Sequence, residues 1–160
     1  MSHSFVSKRI ENDADQSLED LLIVGWQETI ALPEFGIDRL VAKIDSGASM
    51  SSLHAECIER IQRRRQTWIR FRTQTDLQGD CTSLRCEARW VSDRLIRSSN
   101  GQTELRPVIE TMIYLGGFQW PIELSLTDRS SLECKVLLGR SALSSRCLID
   151  CSRKNVMTSP

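Results

Sequence analysis

Apolar residues in this chain come in short runs separated by turn-forming residues. Leu21-Leu22-Ile23-Val24-Gly25-Trp26 is apolar and β-branched, and the pattern continues through Glu28-Thr29-Ile30-Ala31-Leu32. Pro33 to Gly36 reads as a turn. Ile37 to Ile44 follows as a second strand, roughly alternating toward its end. In Ser51 to Arg65, Leu53, Cys57, Ile58 and Ile61 recur at near-helical spacing, which predicts a helix closing on Arg63-Arg64-Arg65. Trp68-Ile69-Arg70-Phe71-Arg72 alternates apolar and basic residues, as a half-buried strand does, and Gln78-Gly79-Asp80 marks a turn. Further strands are expected at Leu84 to Val91, Val108 to Leu115, Phe118 to Leu126, Val136 to Gly139 and Arg146 to Asp150, and a short helix at Ser141 to Ser144. Ser98-Ser99-Asn100-Gly101 is a tight-turn signal between strand-like flanks. Many short strands with turns between them predict a mainly β barrel or sandwich with one or two short helices.

A length of 160 residues suits one domain. Residues 1–18 are polar and aperiodic and are expected to be loosely ordered, 19–155 to form the domain, and 156–160 to be a tail. Lys+Arg and Asp+Glu balance at 21 each, so net charge gives no drive toward nucleic acid or anionic lipid. No apolar run reaches the length of a membrane span, and Met1 to Gln16 lacks the apolar region of a secretory signal. The expected location is cytoplasmic, with the six cysteines as reduced thiols.

The most informative stretch is Ala42-Lys43-Ile44-Asp45-Ser46-Gly47-Ala48-Ser49, where an apolar strand runs into an acid, a hydroxyl and a glycine. The strand end would fix the carboxylate. Gly47 would let the backbone turn tightly and let a second loop approach. Ser46 could hydrogen-bond across such a pair, and Ala48 leaves room for a peptide. Asp-Ser-Gly is also ordinary turn chemistry, so the motif alone leaves a structural turn open. A second feature, Val136-Leu137-Leu138-Gly139-Arg140, is an apolar pair followed by glycine near the C-terminus. An acid loop first and an apolar-apolar-Gly strand behind it is the layout of retroviral-type aspartic peptidases.

The sequence resembles a bacterial family labelled ATP-dependent zinc proteases, found beside ATP-grasp ligases of the ribosomal-protein-modifying type and similar in fold to retropepsins. The resemblance runs from about residue 20 to 155. It is carried by Ala42 to Ala48, Ser51-Ser52-Leu53-His54-Ala55, Arg97 to Gly101, Glu104 to Ile109, Ile122 to Arg129, Leu137 to Leu143 and Asp150-Cys151-Ser152-Arg153. Ser46 stands where the family usually has threonine, and Met50, Ser49, Cys134 and Cys151 also depart from its pattern. The resemblance implies a retropepsin-like closed barrel and an aspartic-type endopeptidase. Asp45 with Ser46 and Gly47 would be catalytic, and the chain supplies that run once, so the second aspartate is expected from a homodimer. Two such carboxylates share one proton and activate a water without a covalent intermediate. Ala48, Ser98, Ser99, Asn100 and Arg106 are candidates to face a peptide or protein substrate. The hairpin at Ser98 to Asn100 reads equally as an ordinary turn, and Arg106 and Arg140 could instead brace the Asp45 loop. His54, Leu138, Gly139 and Arg140 are expected to support the site.

The zinc and ATP of the family label find little in these residues. The histidines are His3 and His54, no His-Glu-x-x-His run occurs, and Cys81/Cys86 and Cys147/Cys151 have the wrong spacing for a zinc knuckle. No phosphate-binding glycine loop is present, so no cofactor is expected and ATP dependence would come from a partner such as an ATP-grasp ligase. The alternative to a peptidase is a catalytically silent module of the same fold that binds or regulates such a ligase. A nucleic-acid reading through Arg60, Arg63, Arg64 and Arg65 is opposed by the neutral charge and scarce interleaved aromatics.

Overall fold

The computed structural model describes residues 8–9, 20–77 and 80–157. Its strands are β1 (Lys8–Arg9), β2 (Leu22–Gly25), β3 (Gln27–Leu32), β4 (Ile37–Ile44), β5 (Ser51–His54), β6 (Glu56–Arg63), β7 (Gln66–Leu77), β8 (Asp80–Arg97), β9 (Thr103–Leu115), β10 (Phe118–Thr127), β11 (Val136–Leu138) and β12 (Cys147–Asp150). A 3₁₀ turn spans Pro33–Phe35 and a short helix, α1, spans Arg140–Leu143. The expected loose N-terminus lies largely outside the described residues, as do His3 and the tip of the turn at Gln78-Gly79.

The fold is mainly β with a closed barrel, one of the two architectures the strand pattern predicts and the retropepsin-like one that the resemblance implies. Six strands close in the order β4, β3, β9, β10, β5, β11. The ring is completed by antiparallel β9–β10 pairing, with Ile109 opposite Leu124. Alternation sets the faces. In β3, Glu28, Ile30 and Leu32 are buried while Gln27, Thr29 and Ala31 are less so. Ile30, Leu40, Leu53, Ile109, Ile113, Trp120 and Leu124 meet in the interior. From β9 an antiparallel arm, β8–β7–β6, continues beyond the barrel. Phe71 anchors that arm against Phe35, edge to face at 5.6 Å. Trp120 donates its indole N–H to the Ala142 carbonyl at 3.1 Å, which seats α1 on the barrel.

The helix expected over Ser51 to Arg65 does not form. Ser51–His54 is instead a barrel strand buried on both faces, between β10 and β11. Glu56–Arg63 is an exposed edge strand paired with β7, and Cys57, at φ 52°, sits where the register shifts. The apolar spacing was compatible with a helix, but Ser52 and His54 need strand geometry to face away from Leu53. The Arg63-Arg64-Arg65 run is not a helix end either. Arg64 and Arg65 have φ of 46° and 66°, the left-handed pair of a tight hairpin turn.

The apolar run from Leu21 to Leu32 is broken at Trp26 into β2 and β3. β2 pairs in parallel with β12, Ile23 opposite Leu148. Gly25 permits a backbone crossing at that break, because a Cβ there would collide with the Arg153 carbonyl and come within 2.8 Å of Lys154 Cα. The buried carboxylate of Glu28 holds the crossing. It accepts the amide N–H of Gly25 at 2.7 Å and of Val156 at 2.9 Å.

Candidate active site

β4 and β11 run side by side in parallel, Ile44 opposite Leu138, so both strands end at the same place. Asp45 follows directly and donates its backbone N–H to the Leu138 carbonyl at 2.9 Å. One oxygen of its carboxylate, Oδ1, accepts the Gly47 N–H at 3.0 Å. The other, Oδ2, lies 3.3 Å from Lys43 Nζ. The side chain is 26% exposed, so the acid is fixed by the strand end yet open to solvent. Ser46 and Gly47 stand at the exposed tip of the loop, and Ala48 is half-buried.

Gly139 and Arg140 pin the far side of this loop. Arg140 donates its backbone N–H to the Ala48 carbonyl at 2.9 Å and its guanidinium to the Ser46 carbonyl at 2.9 Å. Gly139 donates its N–H to Ser51 Oγ at 3.0 Å. A Cβ on Gly139 would lie 2.8 Å from the Ala48 carbonyl oxygen and from Met50 C and O, so only glycine fits without moving the loop. Asp45, Ser46, Gly47, Ala48, Leu138, Gly139 and Arg140 thus form one hydrogen-bonded unit.

The β8–β9 hairpin closes over the neighbouring face. Arg94 and Arg106 are cross-strand partners and share the face turned toward the barrel. Arg94 donates to Glu123 on β10 at 2.6 Å and approaches Met50 Sδ at 3.8 Å. Arg106 Nε donates to Glu104 at 2.8 Å, and that carboxylate also accepts the Thr127 hydroxyl at 3.0 Å. Beneath lie the buried Ser52 and Ser125 hydroxyls, 2.7 Å apart. The opposite face of the hairpin carries the exposed pair Leu95 and Leu105. At its tip, Ser98 and Asn100 are bonded to each other, and Asn100 Oδ1 accepts the Gln102 N–H at 3.0 Å. These side chains close their own turn. Ser99 is exposed beside them.

His54 lies apart from Asp45, near the far end of β5. Its Nδ1 accepts the Arg129 backbone N–H at 2.9 Å and lies 3.6 Å from Asp128 Oδ1. Its Nε2 faces Glu56 Oε1 at 3.4 Å. His54, Glu56 and Asp128 bring their ligand atoms within 4.8 Å of one another. The donor set does not fit zinc. With Nδ1 accepting an amide N–H, the proton of the neutral ring sits on Nε2, and neither nitrogen offers a lone pair to a metal. Hydrogen bonds from Ser130, with the nearby Lys135, hold the Asp128 carboxyl below the usual carboxylate range. Cys86 is a buried thiol and Cys147 a half-buried one, and burial pushes each up to about 11.

Sequence reasoning passed over Arg129. It is 8% exposed and hydrogen-bonds the Cys134 carbonyl through Nε at 3.3 Å. Burial lowers its pKa from the ordinary arginine value; Cys134 opposes that shift, Arg106 adds to it by repulsion, and Asp45 opposes it by attraction. Its position two residues beyond β10, in a run that reads as a polar turn, gives no sign of burial.

Residues 23–160 match the family described as RimB-like, retropepsin-like aspartic endopeptidase RimB. The chain belongs to that RimB-like family. Relatives named probable alpha-L-glutamate ligase share 40% identity over 132 residues in Shewanella pealeana and 42% over 130 residues in Parasynechococcus marenigrum. Those alignments cover 82% and 81% of this chain, but 29% and 28% of the relatives, so the RimB-like chain spans under a third of their length. A Legionella pneumophila protein of unknown function, Lpg0085, has the same fold, with a TM-score of 0.69 and 27% identity over 86% of this chain and 98% of its own. Among the described residues, no helix is long and apolar enough to cross a membrane.

Proposed function

We propose that this chain is one half of a homodimeric aspartic-type endopeptidase whose site is made by the Asp45 carboxylates of two copies. The observation that carries the proposal is the Asp45 loop, with its acid fixed by the Leu138 carbonyl, its far side pinned by Gly139 and Arg140, and its tip, Ser46-Gly47, exposed. A twofold-related copy meeting at that tip would bring the two carboxylates together and let the Ser46 hydroxyls brace the loops. Two carboxylates about 3 Å apart hold one proton between them. The ionised one takes a proton from water, the protonated one donates to the scissile carbonyl, and the water adds to give a tetrahedral diol. In the single chain Lys43 occupies one Asp45 oxygen, and in the dimer that ammonium would have to give way. The β8–β9 hairpin, which already reaches Met50 and Glu123, would cover the peptide. Relatives named as glutamate ligases make an acidic tail of the kind such a ligase adds the substrate of choice. The test is to incubate the chain with oligoglutamate-tailed and neutral peptides and follow fragments by mass spectrometry. Cleavage abolished in a folded Asp45→Asn variant supports the proposal, and cleavage retained in that variant ends it.

A second reading, a silent module that binds a glutamate ligase, is favoured by the Lys43–Asp45 pair and by the relatives that contain this region within a longer ligase-named chain. It predicts that ligase binding persists in Asp45→Asn and that no peptide is cut by either form.

A further inference from the structure

A guanidinium taken out of water needs a compensating anion, because desolvating the charge is otherwise strongly unfavourable. Arg129 lacks one. It is 8% exposed, and among the described residues its guanidinium bonds only the neutral Cys134 carbonyl, with no carboxylate in ion-pair contact. The side chain is not placed there by accident of a mobile loop. Its backbone N–H is bonded to the buried His54 ring, and its carbonyl accepts from Lys135 Nζ at 3.4 Å. A second guanidinium, Arg106, has a side chain 11% exposed and is served by one carboxylate, Glu104, which also accepts the hydroxyl of Thr127, two residues before Arg129. Arg106 repels Arg129 and Asp45 attracts it, so both lie within electrostatic reach of Arg129. The β8–β9 hairpin and the end of β10 therefore bring together two shielded guanidinium groups with one directly bonded carboxylate, Glu104, between them.

We infer that Arg129, backed by Arg106, is the specificity determinant of the proposed peptidase and receives a carboxylate of the substrate next to the bond that Asp45 addresses. The inference rests on the peptidase reading and deepens it. The ligand is an acidic peptide, and the carboxylate is a glutamate or aspartate side chain. A substrate's terminal carboxylate has the same chemistry, so the experiment separates the two sources. Binding supplies the anion that the fold leaves out, and an arginine fork matches a carboxylate with two parallel hydrogen bonds.

The experiment compares kcat/KM of the full chain on three peptides: an oligoglutamate, its glutamine counterpart, and the oligoglutamate with an amidated C-terminus. The wild type should prefer glutamate over glutamine by about tenfold to a hundredfold, the range of one charge-assisted contact. Arg129→Met should bring that ratio close to unity, and an unchanged ratio overturns the inference. A preference that survives amidation supports the side-chain assignment, and one that vanishes on amidation overturns it. Thermal melts separate recognition from structure. Removing an uncompensated buried charge should leave Tm equal or higher, whereas a lower Tm with the ratio intact assigns Arg129 a structural role only. If Arg129→Met does not fold, Arg106→Gln takes its place, with a smaller fall in the ratio expected and no fall counting against the pair. If the wild type cuts none of the peptides, the peptidase reading falls while the binding site is still tested by calorimetry of tetraglutamate. Binding to Asp45→Asn that weakens about tenfold or more when Arg129→Met is added supports the site. Equal affinity, or no binding to Asp45→Asn, overturns it.

Discussion

Gly139→Ala is a test of whether the Asp45 loop is held by close backbone packing. The backbone at Gly139 is extended, with φ −97° and ψ −176°, so alanine introduces no torsional strain of its own. Its methyl group would stand 2.8 Å from the Ala48 oxygen and from Met50 C and O, all main-chain atoms that cannot rotate aside. Restoring ordinary contact needs a retreat of about 0.6 Å, directed along the Asp45 loop. Overpacking of this kind costs about 1–3 kcal/mol, which lowers Tm by about 2–12 °C in a chain of this size. The same shift stretches the Arg140-to-Ala48 bond and moves the acid from its position beside Leu138. A displacement approaching an ångström at a reacting group reduces rate by about a hundredfold. The assay pairs a urea or thermal melt with cleavage of any peptide the wild type cuts. A variant with wild-type stability and wild-type cleavage would refute the claim that β11 fixes the loop.

Further expectations follow from other elements. Arg64 and Arg65 occupy left-handed positions that suit asparagine and glycine, so Arg64→Asn and Arg65→Gly should each raise the unfolding free energy by up to about 1 kcal/mol and move the urea midpoint upward, and a lowered midpoint contradicts the turn assignment. Glu28 collects amide N–H groups from Gly25, Val156 and Met157; Glu28→Gln should cost about 2–4 kcal/mol and speed hydrogen exchange at Val156 and Met157, whereas wild-type exchange there would contradict the tether. Hydrogen bonds from Ser152 and Arg153 depress Asp150 from 3.8 to about 2. A depressed carboxylate stabilises the fold above its unfolded pKa, and that contribution disappears as pH falls from near 3.8 through about 2. Asp150→Asn should therefore flatten the acid limb of stability in that window, and an unaltered limb would count against the bonded turn.

The barrel and the core of the candidate site were legible because their signals are local. Ile37 to Ile44 alternates into a strand, Asp45-Ser46-Gly47 stops it, and Leu137-Leu138-Gly139 supplies the apolar strand and the bare backbone that pairing requires. Ser51 to Arg65 suits a helix as well as strands because Leu53, Cys57 and Ile61 fit two periods at once; burial of Ser52 and His54 by other strands decides between them, and those strands are distant in sequence. The β7–β8 arm is longer than its apolar run suggests. Its rungs toward the turn pair polar residues such as Gln74 with Ser83 and Thr75 with Thr82, which resemble loop composition. Arg129 was invisible as a site residue for a related reason. Its backbone is tied to the buried ring of His54, which is distant in sequence, so no neighbour along the chain marks it.

The central claim, that one site needs the Asp45 of two copies, is tested most directly by subunit mixing. Wild-type and Asp45→Asn chains are combined at varied ratios under conditions that let subunits exchange, and peptide cleavage is followed against the wild-type fraction. A shared two-aspartate site predicts activity that falls with the square of that fraction, to about one quarter in an equal mixture. A linear decline, to about one half, would mean that each chain works alone and would contradict the account.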